Sequence, residues 1–302
     1  MLAQLQEPDG SRFAGAWSAR VQRGAQQWID CNAFATALVV DALASTPAAA
    51  TFAPCIAAAQ TFLRRCAVAD QPGSFAFWSA GDPAYRAGAD LDDTALIRGI
   101  LRDRSAGHDD PLEALRLFGP HRITRGTPLA ATSRWAARFP GLFGTWMDGG
   151  VAIVDLAVNA NVVGYLRSIG AEIPGVAEAE GALCQVLDQA PHLERYAPYY
   201  PSRALILWRC AVAMRAGARI GTSLRRRLRA EVAGDCAPTD TRLLEAALVA
   251  VGIPPVAHRT VAPADILVCS DLTGRIRWSS RALAVALDAA HRCTAVARRI
   301  AC

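Results

Sequence analysis

Six stretches of this 302-residue chain share one plan, a small polar residue followed by a strongly apolar run of helix-forming residues, and that repetition restricts the fold more than any other feature. They read 30-DCNAFATALVVDAL-43, 92-DDTALIRGIL-101, 159-NANVVGYLRSIG-170, 202-SRALILWRCAVAMRAG-217, 240-DTRLLEAALVAVG-252 and 279-SSRALAVALDAAH-291. Asp, Asn, Ser and Thr at the starts suit helix N-caps, because a side-chain oxygen accepts the free N–H groups of the first turn. The runs are apolar on nearly every face, so the helices should be buried. Between them lie amphipathic segments such as 53-APCIAAAQTFLRRC-66, 175-GVAEAEGALCQVLDQ-189 and 222-TSLRRRLRAEVAG-234. Buried and half-exposed helices thus alternate. A closed ring of six inner and six outer helices accounts for this, with the inner N-termini gathered at one end around a cavity. An open solenoid gives a similar alternation, but six units suit closure.

Composition agrees with helices. The chain is 52% hydrophobic, 20% charged and only 7% aromatic, rich in Ala, Leu and Val. Every basic residue is Arg, and the net charge of +5 is mild and scattered. No aromatic-interleaved basic stripe marks a nucleic-acid face. The nine cysteines include no CxxC pair and lie mostly in apolar helical runs (Cys184, Cys210, Cys293), as small core residues of a reducing, cytoplasmic protein do. No run approaches the apolar length of a membrane span, and no signal pattern opens the chain. The expectation is an all-α fold, one domain over residues 1–302.

A second repeat sits in the connections: 6-QEPDGSRFAGAW-17, 71-QPGSFAFW-78 and, without the Gln, 140-PGLFGTW-146. Glycine permits a tight bend, and the aromatics can staple one helix end to its neighbour. These segments resemble the QW repeats of the terpene cyclase and squalene-hopene cyclase superfamily, which tie together an (α/α)6 barrel. The likeness runs through most of the chain, though the last two repeats lack a clear Gln-to-Trp turn.

The most acidic stretch is 89-ADLDDTAL-96. A helix start needs one or two capping groups, and Asp92 or Asp93 supplies one. Three carboxyls crowded into a partly dry site cannot all ionise, so at least one proton stays near neutral pH. A carboxylic acid kept protonated can donate a strong hydrogen bond or a proton. The stretch 90-DLDDTA-95 also resembles the DxDD motif of class II terpene cyclases, trailing Thr-Ala included. That resemblance implies Asp92 as the acid that protonates an alkene or epoxide, with Asp90 and Asp93 as polarising partners. It implies a small-molecule isoprenoid as substrate, with carbocations held against aromatic faces. No metal serves the chemistry; Mg2+ enters only to help bind a diphosphate.

Candidates to line the cavity are Trp78, Tyr199, Tyr200 and Trp278 near the same ring end, with Trp208 inside an inner helix. In 158-VNANV-162, Asn159 caps a helix and Asn161 points inward to a carboxyl or the substrate. Pro201 and Ser202 open the next inner helix, which brings Tyr200 to the ring mouth. The class II enzymes carry a second helical domain, for which this chain has no room. A partner domain, a second copy in a homo-oligomer, or a local loop would close the cavity. Residues 102–140, rich in Gly, Pro and Arg, are a candidate lid, and Arg86, Arg122, Arg125, Arg134 and Arg138 are candidate diphosphate ligands.

Other chemistries fit less well. No DDxxD magnesium motif, zinc-ligand set or nucleophile elbow is present. A non-catalytic ring that grips an apolar chain or partner peptide stays open, as does sugar chemistry on the same kind of ring.

Overall fold

The computed structural model describes residues 2–79, 88–102, 110–234, 237–254 and 264–301. The described chain is mostly helical. The six expected inner helices are present as α1 (Ala33–Ala44), α3 (Leu91–Leu101), α5 (Leu156–Ser168), α7 (Arg203–Arg215), α9 (Pro238–Ala250) and α10 (Arg281–Ala301). Each touches the next in that order, and α10 touches α1, so the contacts close into a cycle. The reason lies in the residues. Every side chain of α5 from Leu156 through Leu166 is buried, as is nearly all of α1, so each inner helix needs apolar neighbours on several sides. The amphipathic segments form α2 (Ala53–Arg64), α6 (Val176–Gln189) and α8 (Gly221–Val232), which pack on that cycle with one buried face.

Among the described residues the expected ring of six outer helices is only partly present. Between α3 and α5 the outer layer is the short α4 (Pro111–Phe118) and a 3-10 helix, Ala131–Arg138. Two hairpins, β1 (Ala19–Arg23) with β2 (Gln26–Asp30) and β3 (Ile266–Ser270) with β4 (Ile276–Ser280), precede α1 and α10. They join in a four-stranded antiparallel sheet of order β2-β1-β4-β3. The fold is therefore not all-α. Strand β3 alternates buried and half-buried residues along 266-ILVCS-270, the two-residue period of a strand. Gly24 and Gly274, at φ +58° and +67°, turn the two hairpins. Pairing of Arg20 with Ser279 ties the two ends of the chain together.

The connecting turns do staple the helices, in a register finer than the sequence repeat suggests. Gly15, Gly73 and Gly141 all take φ near +90° or above. Two residues on, the backbone N–H of Trp17, Phe75 or Phe143 donates to a first-turn side chain: Thr36 at 3.2 Å, Thr94 at 3.0 Å, Asn159 at 2.8 Å. Four residues before each acceptor stands the N-cap, Asn32, Asp90 or Asp155. So α3 is capped by Asp90, not Asp92 or Asp93, and α5 by Asp155, not Asn159.

The described part of the candidate lid, residues 110–140, is packed into the outer layer. Phe118, Ile123 and Ala136 are buried in the core, and bridges join Arg122 to Phe143 and Leu129 to Ala152.

Candidate active site

The aligned caps answer why three aspartates crowd one helix start. Asp90 has the structural work: its Oδ1 accepts from the N–H of Asp93 at 2.7 Å. In the same places relative to the caps of α1 and α5, where α3 has Asp92 and Asp93, stand Phe34 and Ala35, and Ala157 and Val158. The helix geometry thus takes apolar residues there without loss. Asp92 and Asp93 are buried carboxyls that the architecture does not need.

They line an open cleft of about 170 Å3 at the N-terminal end of the inner helices. Its walls are largely aromatic. Phe34, Phe77, Trp78, Trp146, Tyr199, Tyr200 and Trp278 all face it. The rings interlock edge to face: Phe77 with Trp78 at 4.7 Å, Phe77 with Trp278 at 5.6 Å, and Phe34 with Tyr200 at 5.5 Å between centroids. One carboxylate orients two of them, for Asp30 accepts from the indole N–H of Trp78 at 3.1 Å and of Trp278 at 2.9 Å. Trp146 donates to the Tyr199 hydroxyl at 2.7 Å. The sheet supplies one wall through Cys269, Ser270 and Trp278. Its strand β3 is held to the segment before α7 by the Ser270 N–H on the Tyr199 carbonyl, 3.0 Å.

Asp92 has two donors. Asn161 Nδ2 reaches its Oδ1 at 2.6 Å, and the Tyr200 hydroxyl reaches its Oδ2 at 2.8 Å. Burial pushes its affinity for a proton above the ordinary carboxyl range; those two hydrogen bonds and the Arg209 guanidinium pull it part of the way back. Asp93 is held well higher, by burial and then by the charges of Asp90 and Asp92, and its Oδ1 is buried without a hydrogen-bond partner. Asp90, raised by burial and by Asp92, titrates at about 7. Cap residue Asp155 also rises to about 7 through burial, although the N–H groups of Tyr199, Val158 and Ala157 favour its charged form. Burial and Asp92 keep the Tyr200 phenol protonated, and burial does the same for the Cys269 thiol.

The cluster therefore combines two properties that oppose each other in water. It holds protons at neutral pH, and one member, Asp92, has donors already aimed at the anion left behind when its proton departs. Asp93 lacks those donors, so it keeps its proton tightly.

Of the residues expected at the site, Trp78, Asp90, Asp92, Asp93, Tyr199, Tyr200 and Trp278 meet at the cleft, and Asn161 stands behind Asp92. Trp208 does not join them; it is buried on α7 and lines a separate cavity with Ala42, Ser45 and Arg215. Arg122, Arg125, Arg134 and Arg138 do not line the cleft, and Arg86 lies outside the described residues. Sequence reasoning missed Phe34, Phe77, Trp146, Asp30 and Arg209. Phe77 and Trp146 stand inside the glycine-aromatic turns. An arginine in the middle of the apolar run 204-ALILWRCAVAM-214 was the signal for Arg209.

Among the described residues no cluster of three or more His, Cys, Asp or Glu is arranged to hold a metal ion, and no helix is long and apolar enough to cross a membrane. No known protein-family model and no curated protein matches the chain.

Proposed function

We propose that this protein is a class II terpene cyclase-like enzyme, which protonates a linear prenyl chain at an alkene and closes it into one or more rings, with Asp92 as the acid. On this reading the closed cycle of inner helices is the inner wall of an (α/α)6-type ring. The small sheet supplies one wall of the cavity through Cys269, Ser270 and Trp278. The observation that carries the reading is Asp92 itself: a buried carboxyl on an aromatic cleft, with Asn161 and Tyr200 directed at its conjugate base.

The steps balance simply. The O–H bond of Asp92 breaks as a C–H bond forms at the less substituted alkene carbon. A tertiary carbocation remains, and the carboxylate left on Asp92 is held by the Asn161 amide and the Tyr200 hydroxyl. The next alkene attacks the cation, and the ring faces of Trp78, Phe77 and Trp278 would stabilise the migrating charge. A C–H bond beside the last cation then breaks, its electron pair closing an alkene and its proton passing to solvent at the cleft mouth, and Asp92 regains a proton from solvent, so the product is an isomer of the substrate. Water is disfavoured by the apolar wall. Asp90, at about 7, is partly charged near neutral pH and repels a diphosphate, so the head group of a diphosphate substrate would lie away from the acid. Mg2+ would serve that head group and not the proton transfer.

The test is incubation of the purified protein with farnesyl, geranylgeranyl and longer prenyl diphosphates and their free alcohols, with and without magnesium. Products are analysed by mass spectrometry after phosphatase treatment. A cyclic isomer formed by the wild type and absent with Asp92→Asn, at unchanged melting temperature, is the expected result. Full turnover by Asp92→Asn would remove Asp92 from the acid role. Saturable binding of these chains without any product would make the ring a binding module.

A further inference from the structure

Behind the acid, on the side away from the cleft, a second cavity of about 470 Å3 is lined in part by Asp41, Asn161 and Arg209. Asn161 is thus the partition between that cavity and Asp92. An amide can face a carboxyl in two ways, and the difference matters here. With its NH2 toward Asp92, Asn161 stabilises the anion. With its carbonyl toward Asp92, it would accept the acid's proton and turn it away from the cleft.

The neighbours leave one orientation. Arg209, 2% exposed, presents Nε to Asn161 Oδ1 at 2.7 Å. A guanidinium has no acceptor, so the oxygen of Asn161 must face it. The amide NH2 then meets Asp92 Oδ1 at 2.6 Å and the Tyr200 oxygen at 2.9 Å. Because the Tyr200 oxygen receives that bond, its own proton goes to Asp92 Oδ2. Arg209 is fixed in turn by Asp41, whose Oδ2 lies 2.6 Å from Nη1, and by the Trp208 ring, 5.0 Å from the guanidinium carbon. Three inner helices contribute: Asp41 from α1, Asn161 from α5, Arg209 from α7.

We propose that Arg209 is the positioning residue for the reaction: it locks Asn161 as a donor toward Asp92, so the proton of Asp92 remains available to the cleft. The inference rests on the reading of Asp92 as the acid. Lysine would not replace Arg209, because its ammonium is a point charge without the planar fork that reaches Asp41 and Asn161 together.

The test reads the carboxyl directly and needs no turnover. Protein labelled with 13C at the aspartate carboxyls is titrated by NMR, with Asp92 assigned through Asp92→Asn. Titrating or charged groups around Asp92 are Asp90 and Asp93 on its own helix, Asp155 at the start of α5, Tyr200 and Arg209 at and within α7, and Cys269 on β3. These are common to all the variants compared, Arg209 apart. Arg209→Met is expected to raise the Asp92 midpoint by about one pH unit or more. Asn161→Leu should raise it comparably, and the double variant by clearly less than the sum of the two, because the oriented amide bond is lost in both single variants and only the guanidinium charge adds to it. Arg209→Lys, which keeps the charge and guards against a variant that does not fold, should shift it as well. An unchanged midpoint in Arg209→Met, additive shifts in the double variant, or a wild-type midpoint in Arg209→Lys would each overturn the proposal. Cyclisation by Asp92→Asn would instead defeat the assignment of the acid, while the coupling between Arg209 and Asn161 would still be read from the titration.

Discussion

Tyr200 gives its hydroxyl proton to Asp92 Oδ2 across 2.8 Å, while its ring stands edge-on to Phe34 at 5.5 Å. Tyr200→Phe keeps the ring contact and deletes the donor. A hydrogen bond to a charged group contributes roughly 1.5–3 kcal/mol. That bond matters most after the proton has left, so the loss falls on the transition state. We expect kcat to fall about 10- to 100-fold with KM nearly constant. Steady-state kinetics on the cyclised product checks this; a rise in KM at constant kcat would show that Tyr200 only shapes the cleft.

Stability should depend on pH through the same carboxyls. Asp90 titrates at about 7 when folded, against an ordinary value of 3.8, and Asp93 lies well above the ordinary range. In the window between those values the folded state binds more protons than the unfolded chain. Stability is therefore full below about pH 4 for these groups and is lost as pH rises toward the folded value. A tenfold difference in proton affinity between the folded and unfolded states corresponds to about 1.4 kcal/mol. Asp93→Asn removes one member of the repelling cluster, so it should gain stability over the wild type as pH rises, with a larger gain at pH 8 than at pH 5. Urea unfolding of both proteins at the two pH values measures it, and parallel pH slopes would contradict it.

Much of this arrangement was legible in the chain. The inner helices and three of the outer ones followed from caps and apolar periodicity, and the position of 90-DLDD-93 at a helix start placed the carboxyls at the cleft end. The sheet was not legible as such, because 19-ARVQR-23 and 26-QQWID-30 are short, mostly polar and mostly exposed, and a strand pattern of that length needs its partner β4, far along the chain, to become a structure. The caps were misplaced by a few residues because Asp92, Asp93 and Asn159 are as suitable chemically as Asp90 and Asp155; the choice is made by the glycine turns, whose amides must reach Thr94 and Asn159. The partnership of Asp41, Asn161 and Arg209 depends on three helices meeting and has no local signature.

Gly15 tests the staple. A Cβ at this position would lie 2.2 Å from the carbonyl oxygen of Ala58 on α2, and the residue sits at φ +87°. Neither the α2 backbone nor a left-handed φ accommodates alanine cheaply. Gly15→Ala should cost about 2 kcal/mol or more, whereas Gly99→Ala, where no atom approaches within 4 Å inside helix α3, should be neutral or slightly stabilising. Chemical denaturation of both variants gives the comparison; equal costs would mean that the turn does not bear on α2.

Asp30 holds the indole edges of Trp78 and Trp278 while lying outside the cleft wall. Two N–H bonds to one carboxylate fix which way both ring faces point, and a cation in the cleft would meet those faces. Asp30→Ala frees the indoles to rotate but leaves Asp92 and its donors untouched. The acid should therefore work as before, while control over the cation weakens. The expected outcome is a broader product mixture, with partly cyclised or water-captured products rising several-fold, at a total rate within about threefold of the wild type. Tryptophan emission should shift to the red as the indoles loosen. A wild-type product ratio in Asp30→Ala, at unchanged emission, would show that packing against Phe77 alone sets the orientation of the rings.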